Sequence, residues 1–265
     1  MDNSGVARLF PAGTRIVREF TAPEFAPGEA VIPGWDDAGM RLCKSRSKGR
    51  AVCGNGVFLK EYVYRSLWNR FRMRFVAPRP FVSLDAARRL ERLGIPTPRV
   101  LAAVRGVSPD GCVRDLLVTA ELPPDVVFGD KLAAEAGDRR IELARELVPV
   151  ALEMHDGGLY HGDLSLRNWY RTPEGAWGFI DLDGAAVGGV SISRRTDELA
   201  RLASSCFVAA TRAEDGVAEL LPFIRRFADE YTGRGGEIRL PRMEKRSIFL
   251  ADRFRTKYLN MDALK

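Results

Sequence analysis

Two clusters of polar residues at the ends of apolar strands carry the chemistry available to this chain. The first is His161-Gly162-Asp163-Leu164-Ser165-Leu166-Arg167-Asn168, and the second is Phe179-Ile180-Asp181-Leu182-Asp183-Gly184. Carboxylates and an amide at a strand end have no use in a plain core, where burial of polar groups costs free energy, so they mark a site. The set fits phosphoryl transfer. That reaction needs one carboxylate to orient the attacking hydroxyl and take its proton. A second carboxylate and an amide oxygen hold magnesium against the phosphates, and a cation offsets phosphate charge. Asp163, Asp181, Asn168 and Lys60 can supply those four roles in that order.

The surrounding sequence supplies the elements that position these groups. Residues 1–40 are rich in Pro and Gly and read as an irregular leader with a strand at Thr14–Phe20. Asn55-Gly56 between two apolar runs predicts a hairpin, with Lys60 on its second strand. Phe81–Leu93 has helical spacing and stops at Gly94, with Pro96 and Pro98 beyond. Arg99–Arg105 and Val113–Ala120 read as strands, parted by a turn at Ser108–Gly111. Pro123-Pro124 breaks the pattern and marks a lobe boundary. Arg139–Met154 is helical, with a kink expected at Pro149. Short strands follow near Asn168–Arg171 and Trp177–Leu182, and the chain is helical from Ser193 almost to its end. A strand-rich lobe with one helix, then a helical lobe with a small hairpin, is an α+β two-lobe layout.

In that order the segments resemble the kinase superfamily. His161-Gly162-Asp163-Leu164 with Asn168 resembles its catalytic loop, with Gly162 where protein kinases usually carry Arg. Ile180-Asp181-Leu182-Asp183 resembles the metal-binding motif, Val57-Phe58-Leu59-Lys60 the strand lysine, and Leu117–Leu122, including Glu121, the adenine-binding hinge. Within the superfamily the chain is most similar to the lipopolysaccharide kinase (Kdo/WaaP) family. Phe58-Leu59-Lys60-Glu61-Tyr62, Gly94-Ile95-Pro96-Thr97-Pro98 and His155-Asp156-Gly157-Gly158-Leu159-Tyr160 carry that likeness. The resemblance implies a bilobal protein-kinase-like fold, with a leader over residues 1–40 packed on an N-lobe of 41–122, and a C-lobe of 123–265. It implies ATP and Mg2+ as cofactors and the sugars of a lipopolysaccharide core precursor, Kdo or heptose, as acceptor. It assigns Asp163 to catalysis, Lys60, Lys48, Gly49, Glu121, Asn168 and Asp181 to the nucleotide, and Asn168 and Asp181 to the metal.

The chain also departs from the superfamily pattern. No Gly-x-Gly-x-x-Gly loop precedes Lys60; Ser45-Arg46-Ser47-Lys48-Gly49, with one glycine, is the expected phosphate-covering loop. Asp85 and Glu91 are both candidates to pair with Lys60, and nothing in the sequence decides between them. Asp183 is a second metal ligand or a solvated carboxylate, with the second reading favoured. Asp197 is a buried acid holding the catalytic loop or a helix N-terminal acid. His161 is expected to position the loop rather than act as base, and His155 to be a satisfied histidine at a helix end. No Ala-Pro-Glu segment follows Asp181, which argues against an ordinary protein kinase. Another small-molecule or antibiotic kinase, and a nucleotide-binding pseudokinase, are the competing readings.

Composition bounds the partners. The chain has 265 residues, 46% hydrophobic and 29% charged, enough for a sizeable core, and a formal net charge of +6. Cations concentrate from Arg41 to Arg79, where Glu61 is the sole acid. An anionic acceptor and peripheral contact with an anionic membrane fit that stretch, and nucleic acid is not expected. Trp68, Phe71 and Phe75 alternate with arginines there, as a membrane-surface segment or as core aromatics; we read them as core. The four cysteines form no C-x-x-C pair, so free thiols in a reducing cytoplasm are expected and zinc is not. The N-terminus lacks the pattern of a signal peptide, and no apolar run is long enough to span a bilayer. The expected location is cytoplasmic, at the inner face of a bacterial inner membrane.

Overall fold

The computed structural model describes residues 9–25, 40–46, 49–73, 75–136, 140–211 and 217–262. They cluster into two compact units. The first takes the described residues up to Ala87 together with Pro98–Pro123; the second takes Arg88–Thr97 and the chain from Pro124 onward.

The first unit is built on a six-stranded antiparallel sheet. Its strands are β1 (Arg15–Thr21), β2 (Arg41–Arg46), β3 (Gly49–Gly54), β4 (Val57–Tyr64), β5 (Val100–Val107) and β6 (Val113–Ala120), in the order β1-β5-β6-β4-β3-β2. The Asn-Gly hairpin forms as expected: Asn55 and Gly56 sit at φ 53° and 77°, which lets a tight turn join β3 to β4. Strand alternation sets the faces. Val52, Val57, Leu59, Leu116 and Val118 point into one apolar cluster closed by Leu9 and Phe10. Lys60, next to Leu59, therefore lies on the opposite face, paired across to Ala51 and Leu117.

Two helices follow β4. The short α1 (Leu67–Arg72) starts at Ser66, whose Oγ accepts the Asn69 N–H at 3.2 Å, and ends at buried Met73. A buried ion pair fixes that end. Arg105 Nε and Nη2 donate to the two Asp115 carboxylate oxygens at 2.6 and 2.7 Å, and Nη1 donates to the Met73 carbonyl at 2.6 Å. Removing one partner from such a pair strands a buried charge, at a cost of about 3–5 kcal/mol. The aromatics Trp68, Phe71 and Phe75 do not join the core. They are 70%, 55% and 76% exposed, so the reading of these residues as core is corrected. α2 (Arg79–Arg92) buries Phe81, Leu84, Ala87 and Leu90, and turns at Gly94 with φ 70°.

The second unit is mainly helical. α3 (Gly129–Ala136), α4 (Arg140–Asp156), α5 (Ile192–Thr211), α6 (Val217–Gly233) and α7 (Leu240–Asp262) pack with α5 at the centre, against α3, α4, α6 and α7. Buried Leu199, Leu202, Ala203, Cys206 and Phe207 form the stripe that makes this packing possible. α4 continues through Pro149 as a single helix. Two small sheets carry the loops: β7 (Val127–Phe128) with β9 (Trp169–Arg171) and β10 (Trp177–Phe179), and β8 (Leu159–Tyr160) with β11 (Ala186–Val187). All four cysteines are free thiols. Among the described residues no helix is long and apolar enough to cross a membrane.

Candidate active site

The β9–β10 hairpin brings the two polar clusters together. Trp169 pairs with Phe179 in register, so Asn168 and Ile180 face each other one step beyond, and the Ile180 N–H donates to the Asn168 carbonyl at 2.9 Å. Asp181 follows directly. Aromatic packing stiffens the hairpin, with the Trp169 and Phe179 rings 4.4 Å apart and His161 5.5 Å from Phe179. The Gly94–Thr97 turn clips the same strand: Pro96 O accepts the Phe179 N–H at 2.9 Å, and Thr97 Oγ1 donates to the Phe179 carbonyl at 2.9 Å. A Cβ on Gly178 would meet Pro96 O at 2.5 Å, which explains the glycine there.

The Asp163 loop is held by its own backbone and by buried side chains. Asn168 Nδ2 donates to the Asp163 carbonyl at 2.8 Å, and Asn168 Oδ1 has no hydrogen bond among the described residues. His161 is fully buried. Its Nδ1 accepts the Asp163 N–H at 3.3 Å, so its proton sits on Nε2, which donates to the Ile180 carbonyl at 3.1 Å. The imidazole thus ties one polar cluster to the other and is not placed as a base.

The acid that secures this loop is Glu198, one residue beyond the position singled out in the sequence. Glu198 is buried on α5. Its Oε1 accepts the Gly162 N–H at 2.7 Å, and its Oε2 accepts the His161 N–H at 3.1 Å and lies 3.1 Å from His155 Nε2. His155 Nδ1 is 2.8 Å from the Tyr231 hydroxyl, which satisfies the second ring nitrogen. Asp197 instead makes a bidentate pair with Arg242 on α7, at 2.9 and 2.6 Å.

Gly162 has φ 87°, and a Cβ there would lie 2.2 Å from the Gly184 carbonyl. The Asp163 and Asp181 loops approach so closely at this point that only glycine fits, which gives a steric reason for Gly162 in place of the usual arginine. Asp181 is exposed and sits in the left-handed region at φ 63°, ψ 53°. A non-glycine residue held there costs about 1–3 kcal/mol, a strain that clusters at functional sites. Asp183 is half-buried in the following turn.

Two arginines frame Asp163. Arg167 Nη2 lies 2.9 Å from Oδ2, and Arg201 Nη1 on α5 lies 3.0 Å from Oδ1. Burial pushes the Asp163 carboxyl up, but the Arg167 hydrogen bond and the charges of Arg201 and Arg167 outweigh it, so the group is held below the usual carboxylate range. A function that needs the carboxylate is present above that pKa and lost as pH falls through it. The acid limb of activity is therefore expected below the range of an ordinary aspartate. Replacing Arg201 by methionine leaves burial less opposed and moves that limb to higher pH, with KM for nucleotide unchanged. A pH–rate profile of the two proteins checks this; coincident acid limbs would remove Arg201 from the site.

The remaining sequence candidates lie in the first unit. Lys60 sits midway along β4, its Nζ 5.4 Å from the Tyr62 ring centroid. The Glu121 N–H donates to the Gly56 carbonyl at 2.9 Å, at the end of the sheet where β4 begins. Gly49 starts β3 at the other end, and a Cβ there would lie 2.2 Å from the Glu61 carbonyl, so strand pairing alone demands a glycine. Lys48 lies outside the described residues. Asp85 and Glu91 are both exposed on α2, and neither makes an ion pair among the described residues. Sequence reasoning assigned no part in the site to Glu198 or Arg201, and it noted Arg167 only as the neighbour of Asn168.

A sheet unit carrying a mid-strand lysine, joined to a helical unit carrying these two loops, defines a protein-kinase-like fold. Among solved structures the chain is similar to WaaP in complex with acyl carrier protein, with TM-score 0.56 and 17% identity over 92% of this chain and 99% of that one. WbdD bound to a kinase inhibitor is more distant, with TM-score 0.40 and 16% identity over 70% of this chain and 44% of that one. No curated protein sequence matches at a significant level. Residues 45–222 match the lipopolysaccharide kinase (Kdo/WaaP) family, and the chain belongs to that family. It is a kinase.

Proposed function

We propose that this kinase transfers the γ-phosphate of ATP to a hydroxyl of Kdo or heptose in a lipopolysaccharide core precursor. The observation that carries the proposal is the joining of Asp163, Asn168 and Asp181 through the Asn168 amide and the Ile180 N–H. The acceptor hydroxyl hydrogen-bonds to the Asp163 carboxylate, which orients the oxygen. The new bond joins that oxygen to the γ-phosphorus, the bond to the β-phosphate bridging oxygen breaks, and ADP leaves. The proton passes to Asp163 late, when the attacking oxygen has become acidic. A carboxylate of lowered pKa suffices there, because orientation rather than basicity limits so loose a transition state.

The donor set suits magnesium: the exposed Asp181 carboxylate and the Asn168 Oδ1 are hard oxygen ligands that leave positions for water and phosphate. When bound, the metal offsets phosphate charge. Lys60 adds a second cation, and Lys48 and Gly49 are assigned to the phosphates. At the hinge the Glu121 N–H is already committed, so Glu121 offers its carbonyl to adenine. The next donor is the Leu122 N–H, since Pro123 and Pro124 have none.

The acceptor is membrane-held, and the kinase reaches it from the cytoplasm as a peripheral protein. ADP release is expected to rise on adding a core precursor bearing Kdo or heptose, and to stay at background with a cationic aminoglycoside. The opposite preference would replace this reading with an antibiotic kinase.

A further inference from the structure

The α1 segment and the residues after it hold apolar side chains in water. Leu67, Trp68, Phe71, Phe75 and Val76 are 80%, 70%, 55%, 76% and 44% exposed, and α1 contains no buried residue. The aromatics form one continuous cluster. Trp68 and Phe71 stack at 6.4 Å, and Phe71 and Phe75 meet edge to face at 5.3 Å. The segment is also anchored. Ser66 caps its start, Arg70 folds back to 3.2 Å from Cys112 Sγ, and Arg105 grips the Met73 and Val76 carbonyls at 2.6 and 3.3 Å. A frayed end would need none of these ties. A cluster presented on a fixed base is a surface made for contact.

The surrounding charge selects the partner. From Tyr62 to Leu84 the sequence has no carboxylate, and Arg65 and Arg72 are exposed beside the aromatics. Tryptophan and phenylalanine flanked by arginine suit the headgroup layer of an anionic bilayer, where rings enter the acyl boundary and guanidinium groups stay with phosphates. The placement is apt as well. α1 leaves the end of β4, where Tyr62 pairs with Gly49, the end of the sheet assigned to the phosphates.

We infer that α1 is a membrane-insertion element that seats the kinase on anionic lipid. The inference rests on the proposed lipopolysaccharide acceptor only for the choice of surface. It differs from adsorption by the whole basic stretch, because insertion of rings survives salt that screens charge. Arg70, packed on Cys112, takes no part.

The test is co-sedimentation with phosphatidylethanolamine–phosphatidylglycerol vesicles that contain no lipopolysaccharide precursor. Wild type is expected to bind, with binding reduced but not abolished at high salt, and with the Trp68 emission shifted to the blue. A Trp68→Ala, Phe71→Ala, Phe75→Ala variant is expected to lose about 100-fold in partition. Its circular dichroism and its turnover on a delipidated, soluble core sugar should be unchanged. Equal vesicle binding by the variant, or none by wild type, overturns the inference; so does capture of this face by an acidic protein in preference to vesicles. Failure of the kinase reading appears separately, as absent turnover on the soluble sugar by a protein that still binds vesicles.

Discussion

Replacing Asp163 by alanine is expected to lower turnover by roughly 10²–10⁴ while ATP affinity stays within a few-fold, the signature of a group that acts on the acceptor rather than on the nucleotide. The loop around Asp163 does not depend on its side chain. Asn168 and Ser165 both bond to the Asp163 backbone carbonyl at 2.8 Å, and His161 accepts its N–H. The alanine variant therefore keeps the loop, and what it loses is the carboxylate and its pairs with Arg167 and Arg201. Those pairs are partly exposed, so their loss has little effect on folding. Nucleotide affinity measured by calorimetry, beside turnover, separates the two effects. Wild-type turnover in the variant would remove Asp163 from catalysis.

The Asp181→Asn, Asn168→Ala double variant is expected to bind ATP equally with and without magnesium, and to lose roughly 10³-fold or more in turnover, since metal charge contributes several kcal/mol to such transition states. The two substitutions act differently on structure. Asparagine tolerates the left-handed backbone that Asp181 adopts, so that site keeps its turn. Alanine at 168 removes the bond to the Asp163 carbonyl as well as the oxygen ligand. Asp181→Asn alone is thus the cleaner probe of metal binding, and the double variant the larger effect. Metal-dependent affinity that survives both changes would place the cation elsewhere.

Much of this was legible in residue order. Asn-Gly between apolar runs fixed the β3–β4 hairpin because both turn residues need positive φ. Gly94 ended α2 for the same reason. The Asp163 loop and Asp181 were recognisable because polar residues at strand ends have few other uses. The kinase-like fold and the family followed from the order of those segments, and the match over residues 45–222 bears them out.

What escaped sequence reasoning was orientation. Asp197 and Glu198 are adjacent acids on one helix, about 100° apart around its axis. Glu198 stands four residues before buried Leu202 and eight before Cys206, on the inward stripe, and that phase was the available signal. Trp68, Phe71 and Phe75 failed for a related reason: aromatics alternating with arginines suit a face turned to a core and one turned outward alike. Periodicity reports that a face is apolar and is silent about what covers it. The Arg201–Asp163 pair joins residues far apart in sequence, and no local pattern announces it.

The most direct test of the account is the mass of the acceptor. After incubation of the kinase with ATP, magnesium and a purified core precursor, mass spectrometry with fragmentation should find one added phosphate on a Kdo or heptose hydroxyl. The product should form with wild type and be nearly absent with Asp163→Ala. ATP consumption with the acceptor mass unchanged, or equal phosphorylation by the variant, would contradict it.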